Sequence, residues 1–125
     1  MGTNELANQL ISLSGKKDAD IDELFYKLLD VIDEFSSDER SVDYKTKALI
    51  SSEFIFTKLR MIVEYEHITV KRILTDSNIS PSLKPFFVKR DVYLSQICTK
   101  LTTIREDINV LQKTLYMAST INKKL

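Results

Sequence analysis

The sequence predicts an all-α fold, a three-helix bundle built on a long antiparallel helical hairpin. Three observations carry this. The chain has two glycines and two prolines in 125 residues, far below the roughly 7% and 5% of average usage, so it holds few tight reversals. Few long elements therefore fit it better than the many short strands of a β-sandwich, which needs a turn every ~8–12 residues. Its aliphatic residues recur at helical spacing, most regularly at Ile97, Leu101, Ile104, Ile108, Leu111 and Leu115. Those steps of 4, 3, 4, 3 and 4 residues are the seam of a helix packed along another helix. Finally, the hydrophobic content of 43% suffices for one core in one domain.

The elements follow in order. Residues 4–13 (NELANQLISL) place Leu6, Leu10 and Leu13 at helical spacing. Ten residues make a marginal helix alone, so this reads as a short amphipathic segment. SGKKDAD (14–20), with the chain's last glycine, Gly15, reads as a linker. The predicted organisation is thus an N-terminal segment and linker over 1–19 and one helical domain over 20–125. The segment either packs on its own domain or serves as a docking arm.

An acidic helix is predicted over about 20–36. Ile21, Leu24, Phe25, Leu28, Val31, Ile32 and Phe35 form one stripe, and Asp18 or Asp20 is placed to cap its start. SSDERS breaks the pattern. A second helix over about 42–75 carries Leu49, Ser52, Phe56, Leu59, Val63, Glu66, Val70 and Ile73 on one side. On another side it carries Ile50, Phe54, Met61, Tyr65 and Ile68. A helix apolar on two sides is usually central, so these two faces are expected to meet the first and third helices. TDSNISPS ends it, because Pro81 cannot continue a helix and biases Ser80 away from helical angles. A third helix over about 82–125 follows, with Pro85 in its first turn.

The third helix's seam could pair with its own copy or with the second helix. In a parallel self-pair, each residue at one flank meets the partner residue five positions on. That would set Lys100 against Arg105, a like-charge contact. The short connection after residue 75 favours an antiparallel hairpin instead. Setting Ile73 opposite Phe87 then aligns Val63 with Ile97, Leu59 with Leu101, Phe56 with Ile104 and Leu49 with Leu111. It also brings Glu66 within about one turn of Arg90. A charge alone in a seam is costly, so Glu66 and Arg90 are expected to form a structural pair.

Chemistry has little material. His67 is the one histidine and Cys98 the one cysteine; a metal site needs several convergent ligands. His67 reads as a seam-edge residue and Cys98 as a buried thiol. No glycine-rich phosphate loop and no nucleophile elbow are present. The chain is therefore expected not to be an enzyme and to use no cofactor. A single cysteine, no secretory leader pattern and no apolar run of ~20 residues point to a reducing intracellular setting: cytoplasm, nucleus or an infected host cell.

Charge is uneven. Residues 1–40 hold ten acids against four bases, a net −6, which the rest of the chain balances. The leading expectation is a non-catalytic interaction protein that oligomerises or docks onto a helical partner. Its interface residues are Leu6, Leu10, Leu13, Tyr116, Met117, Ile121 and Leu125, the apolar surplus at the two chain ends. The alternative is a nucleic-acid-associated accessory protein, of the kind used in phage DNA packaging or recombination. It would contact phosphates through Lys71, Arg72, Lys89 and Arg90 at the hairpin's loop end.

Overall fold

The computed structural model describes residues 2–35 and 41–124, with side chains up to Ala118 in the last helix. It consists of three helices: α1 (Thr3–Phe35), α2 (Val42–Thr75) and α3 (Lys84–Lys124). No strand occurs among the described residues. None of the described helices is long and apolar enough to cross a membrane.

α2 and α3 form the antiparallel hairpin. Ser41 caps α2, its hydroxyl accepting from the Tyr44 N–H at 3.2 Å and its carbonyl from Lys45 N–H at 3.0 Å. This satisfies N–H groups that the first turn leaves without partners. At the far end Asp76 organises the turn. Its backbone N–H reaches the Ile73 carbonyl at 3.2 Å, and its carboxylate accepts from Asn78 N–H at 2.8 Å. Ile79 is buried beneath the turn.

The hairpin register is close to the one expected. Phe56, Leu59, Val63, Val70 and Ile73 of α2 share one core cluster with Phe87, Leu94, Ile97, Leu101, Ile104 and Ile108 of α3. Cross-helix polar contacts fall in the same frame: Glu66 with Arg90, His67 with Asp91, and Glu53 with Arg105. Leu49 is partly buried and packs against this cluster, while Ala48, one residue earlier, is buried outside it.

α1 corrects the expected boundary at residue 20. The SGKKDAD stretch is helical, and one unbroken helix of 33 residues replaces a segment, a linker and a shorter helix. Gly15 costs a helix about 1 kcal/mol relative to alanine, but both flanks are anchored. Ala7 and Leu10 before it, and Ile21 and Leu28 after it, all enter the common core. The first turn is tied to the α2–α3 turn as well. The Thr3 hydroxyl donates to the Asp76 carboxylate, and Asn4 accepts from Ser80 N–H at 2.9 Å. Asp18 and Asp20 therefore lie inside α1 and cap nothing.

α2 is central, with α1 and α3 each packed along it. It is not sandwiched in the manner expected. Both neighbours approach the half of α2 that holds Leu59, Val63 and Val70, and the second apolar stripe faces outward.

Candidate functional site

Three features outside the hydrophobic core have the geometry of a site: an ion cluster joining the helices, a histidine–cysteine group, and the outer face of α2.

The ion cluster is centred on Arg90. Its Nε and Nη2 donate to the two Glu66 carboxylate oxygens at 2.5 and 2.9 Å. Its Nη1 donates to Asp18 Oδ1 at 2.6 Å, and the guanidinium sits 4.9 Å from the Tyr93 ring centroid. Glu66 and Arg90 are both buried. Burial opposes the arginine's charge, but the hydrogen bonds to Glu66 and then Asp18 more than offset it, so its pKa is raised above its usual value. The two-pronged pairing satisfies both carboxylate oxygens. Among the described residues no buried side-chain nitrogen or oxygen lacks a partner. One residue per helix meets here, which makes the cluster a structural clamp. Asp18 is the member that the sequence did not point to, because it fell in an apparent linker.

His67 lies at the α2–α3 seam edge. Its Nε2 is 2.9 Å from Asp91 Oδ1 and 3.2 Å from Ser95 Oγ. Its Nδ1 is 3.9 Å from Cys98 Sγ. The order Cys98, His67, Asp91 resembles a nucleophile, base and orienter. The electrostatics oppose that role. Burial and then the nearby Glu64 push the Cys98 thiol up, against a smaller lowering by Lys71. A thiol kept protonated is a poor nucleophile. Cys98 also lines a cleft of about 340 Å³ with Phe56, Leu101 and Arg105. Arg105 is already paired with Glu53 at 2.8 Å. No group of three or more histidine, cysteine, aspartate or glutamate side chains among the described residues is disposed to hold a metal ion.

The outer face of α2 is the most distinctive surface. Ile50, Phe54, Met61, Tyr65 and Ile68 are 65%, 72%, 63%, 72% and 55% exposed. At 3.6 residues per turn they fall within an arc of about 60°, on the opposite side of α2 from its core stripe. From Ile50 to Ile68 the stripe runs about 27 Å. Scattered exposed apolar residues are ordinary, but five large ones along one helix face, with Thr57 and Lys58 between Phe54 and Met61, single this face out as a candidate site.

The sequence-predicted interface divides. Leu10 is buried and Leu6 packs partly against the same core, so these two cover their own domain. Of the two alternatives for the N-terminal segment, packing on its own domain is the one seen, and the segment is the first third of α1. Leu13 is half exposed, and Tyr116 and Met117 are well exposed on α3. The side chain of Ile121, and Leu125 altogether, lie outside the described residues.

The four basic residues do not converge. Arg90 is buried in the ion cluster. Lys89 lines the α1–α3 cleft with Ser14 and Asp18. Lys71 lies on the Cys98 side of the hairpin, close enough to influence that thiol. Arg72 is exposed one turn beyond Ile68 on the outer face of α2.

No protein-family model, curated protein or solved structure matches this chain.

Proposed function

We propose that this protein is a non-catalytic helical assembly module that docks a helix, of its own kind or a partner's, on the outer face of α2. One observation carries the reading: the five-residue apolar band from Ile50 to Ile68, open on a helix whose opposite side builds the core. The clamp at Arg90 supports it, because a buried ion pair between α2 and α3, extended to Asp18 of α1, holds α2 in one orientation. The band is then a preformed surface, and docking to it carries little ordering cost. The raised thiol pKa of Cys98, which His67 faces across 3.9 Å, gives chemistry no comparable support.

The nucleic-acid alternative loses Arg90 to the core, and its remaining cations point to different faces.

The test is a photo-crosslinking residue, p-benzoylphenylalanine, placed at Phe54 and, as a control, at Thr99 on the outer side of α3. Irradiation in the cells that make the protein is expected to give adducts of defined mass from position 54 and none from position 99. Equal or absent labelling at both positions would overturn the reading.

A further inference from the structure

We infer that the occupant of the α2 outer face is the same face of a second copy, packed antiparallel about a two-fold axis between Thr57 and Lys58. The inference rests on the assembly reading and names its partner.

The first argument is the spacing. Ile50, Phe54, Met61 and Tyr65 are separated by 4, 7 and 4 residues. This sequence of steps reads the same in both directions. A two-fold axis reverses the direction of the partner helix, so a self-complementary contact needs such a pattern. With Ile50 set opposite the second copy's Tyr65, Phe54 falls opposite Met61, and the reciprocal contacts form at the same time. Four of the five band residues thus meet apolar residues, while Ile68 falls opposite Lys47 at the edge of the seam. Aromatic rings facing methionine and isoleucine suit a packed seam.

The second argument is charge. The same register carries the face to Asp43 at one end and Arg72 at the other, both exposed. Asp43 of one copy lies opposite Arg72 of the other, and the symmetry makes two such pairs. A parallel self-pair would instead set Asp43 on Asp43 and Arg72 on Arg72. Like charges at the rim disfavour that arrangement. Lys58 comes beside its own symmetry mate at the axis. Asp20 and Glu23 of α1 line the same cleft as Lys58, and although Glu23 is paired with Lys27 at 2.9 Å it also feels the Lys58 charge.

The third argument is room. Among the described residues, α1 and α3 flank α2 and leave its outer side clear from Asp43 to Arg72, about 44 Å of helix at 1.5 Å per residue. A helix seam of this length, with its flanking residues, reaches the ~800 Å² per partner of an ordinary specific interface.

The test uses the full chain. Sedimentation equilibrium from about 2 to 500 µM is expected to move from the 14.4 kDa monomer to twice that mass. Phe54→Glu is expected to abolish the shift with helical circular dichroism unchanged. Asp43→Arg and Arg72→Asp should each weaken association about three- to tenfold, and the double variant should recover it, as expected for rim ion pairs. Register is read in a Cys98→Ser background. A mixture of Phe54→Cys and Met61→Cys chains should oxidise to the mixed disulfide faster than either chain alone, because 54 and 61 face each other. Phe54→Cys homodisulfides as the dominant product would indicate a parallel pair and overturn the inference. So would a wild-type chain that stays monomeric throughout the range. In that last case adducts from position 54 would still uphold the broader reading, with a foreign helix as occupant.

Discussion

Arg90 of α3 donates to Asp18 of α1 at 2.6 Å while its other two donors hold Glu66 of α2. One guanidinium thereby bridges all three helices, across 72 residues of sequence. The two carboxylates are not equivalent: Glu66 is buried, whereas Asp18 is 41% exposed. Their removal should have different effects. Arg90→Ala leaves Glu66 charged and without its partner in a dry site, and is expected to destabilise the fold by about 3–5 kcal/mol. Asp18→Asn removes a contact that solvent already screens, and should cost no more than about 1 kcal/mol. Replacing Glu66 and Arg90 together with leucines should cost much less than Arg90→Ala alone, because no charge is stranded. Urea unfolding followed by circular dichroism checks all three. A double variant as unstable as the single would refute the stranded-charge account.

Gly15 sits within α1, and a methyl group built on it would meet nothing within 4 Å. Gly15→Ala should therefore stabilise the protein by about 0.5–1 kcal/mol, through helix propensity and a less flexible unfolded chain. The gain appears as a higher urea midpoint at unchanged slope. A loss of stability would mean that the helix does not run through residue 15.

The junction of the α1 start with the α2–α3 turn should respond to acid. The Thr3 hydroxyl, and then the Asn78 backbone N–H, hold the Asp76 carboxyl below the ordinary aspartate value of 3.8. With its pKa depressed in the fold, Asp76 supports the junction above pH 3.8 and loses that support as pH falls through the depressed value. Hydrogen exchange should show the first turns of α1 losing protection before α2 and α3 in that window. Thr3→Val should bring the same loss to neutral pH. Uniform loss of protection along the chain would argue against a local junction.

Cys98 should be a slow thiol. Burial raises its pKa, with Glu64 adding to the rise, so the thiolate fraction at pH 8 is below that of an open cysteine. Reaction with a disulfide reagent is expected to be several-fold slower in the native chain than in urea. Glu64→Gln should speed the native reaction slightly without changing the rate in urea. A native rate above the unfolded one would reopen the case for a nucleophile.

Much of the fold was legible in the residue pattern. The bounds of α2, the antiparallel hairpin and the Glu66–Arg90 pairing all follow from apolar spacing plus the rule that a seam charge needs a partner. The misreadings have definite physical causes. Ser14, Gly15, Asp18 and Asp20 carry weak helix propensity, and the packing of Ala7, Leu10, Ile21 and Leu28 overrides it. Leu6 and Leu10 read as spare because the length of helix available to cover the hairpin was underestimated. The band Ile50 to Ile68 read as a second buried face because periodicity reports that a face is apolar, not what lies against it.

The all-α class, the lengths of α2 and α3, and the inward-facing residues of the hairpin follow from the order of residues alone. These are local properties, set by backbone propensity, turn chemistry and a hydrophobic repeat that runs along one helix at a time. The continuity of α1, the contact of Asp18 with Arg90 and the open outer face of α2 emerge only once the helices are packed. Those depend on the direction from which a distant helix approaches. That direction is set by the summed packing of many side chains far apart in the chain, and no single stretch of sequence carries it.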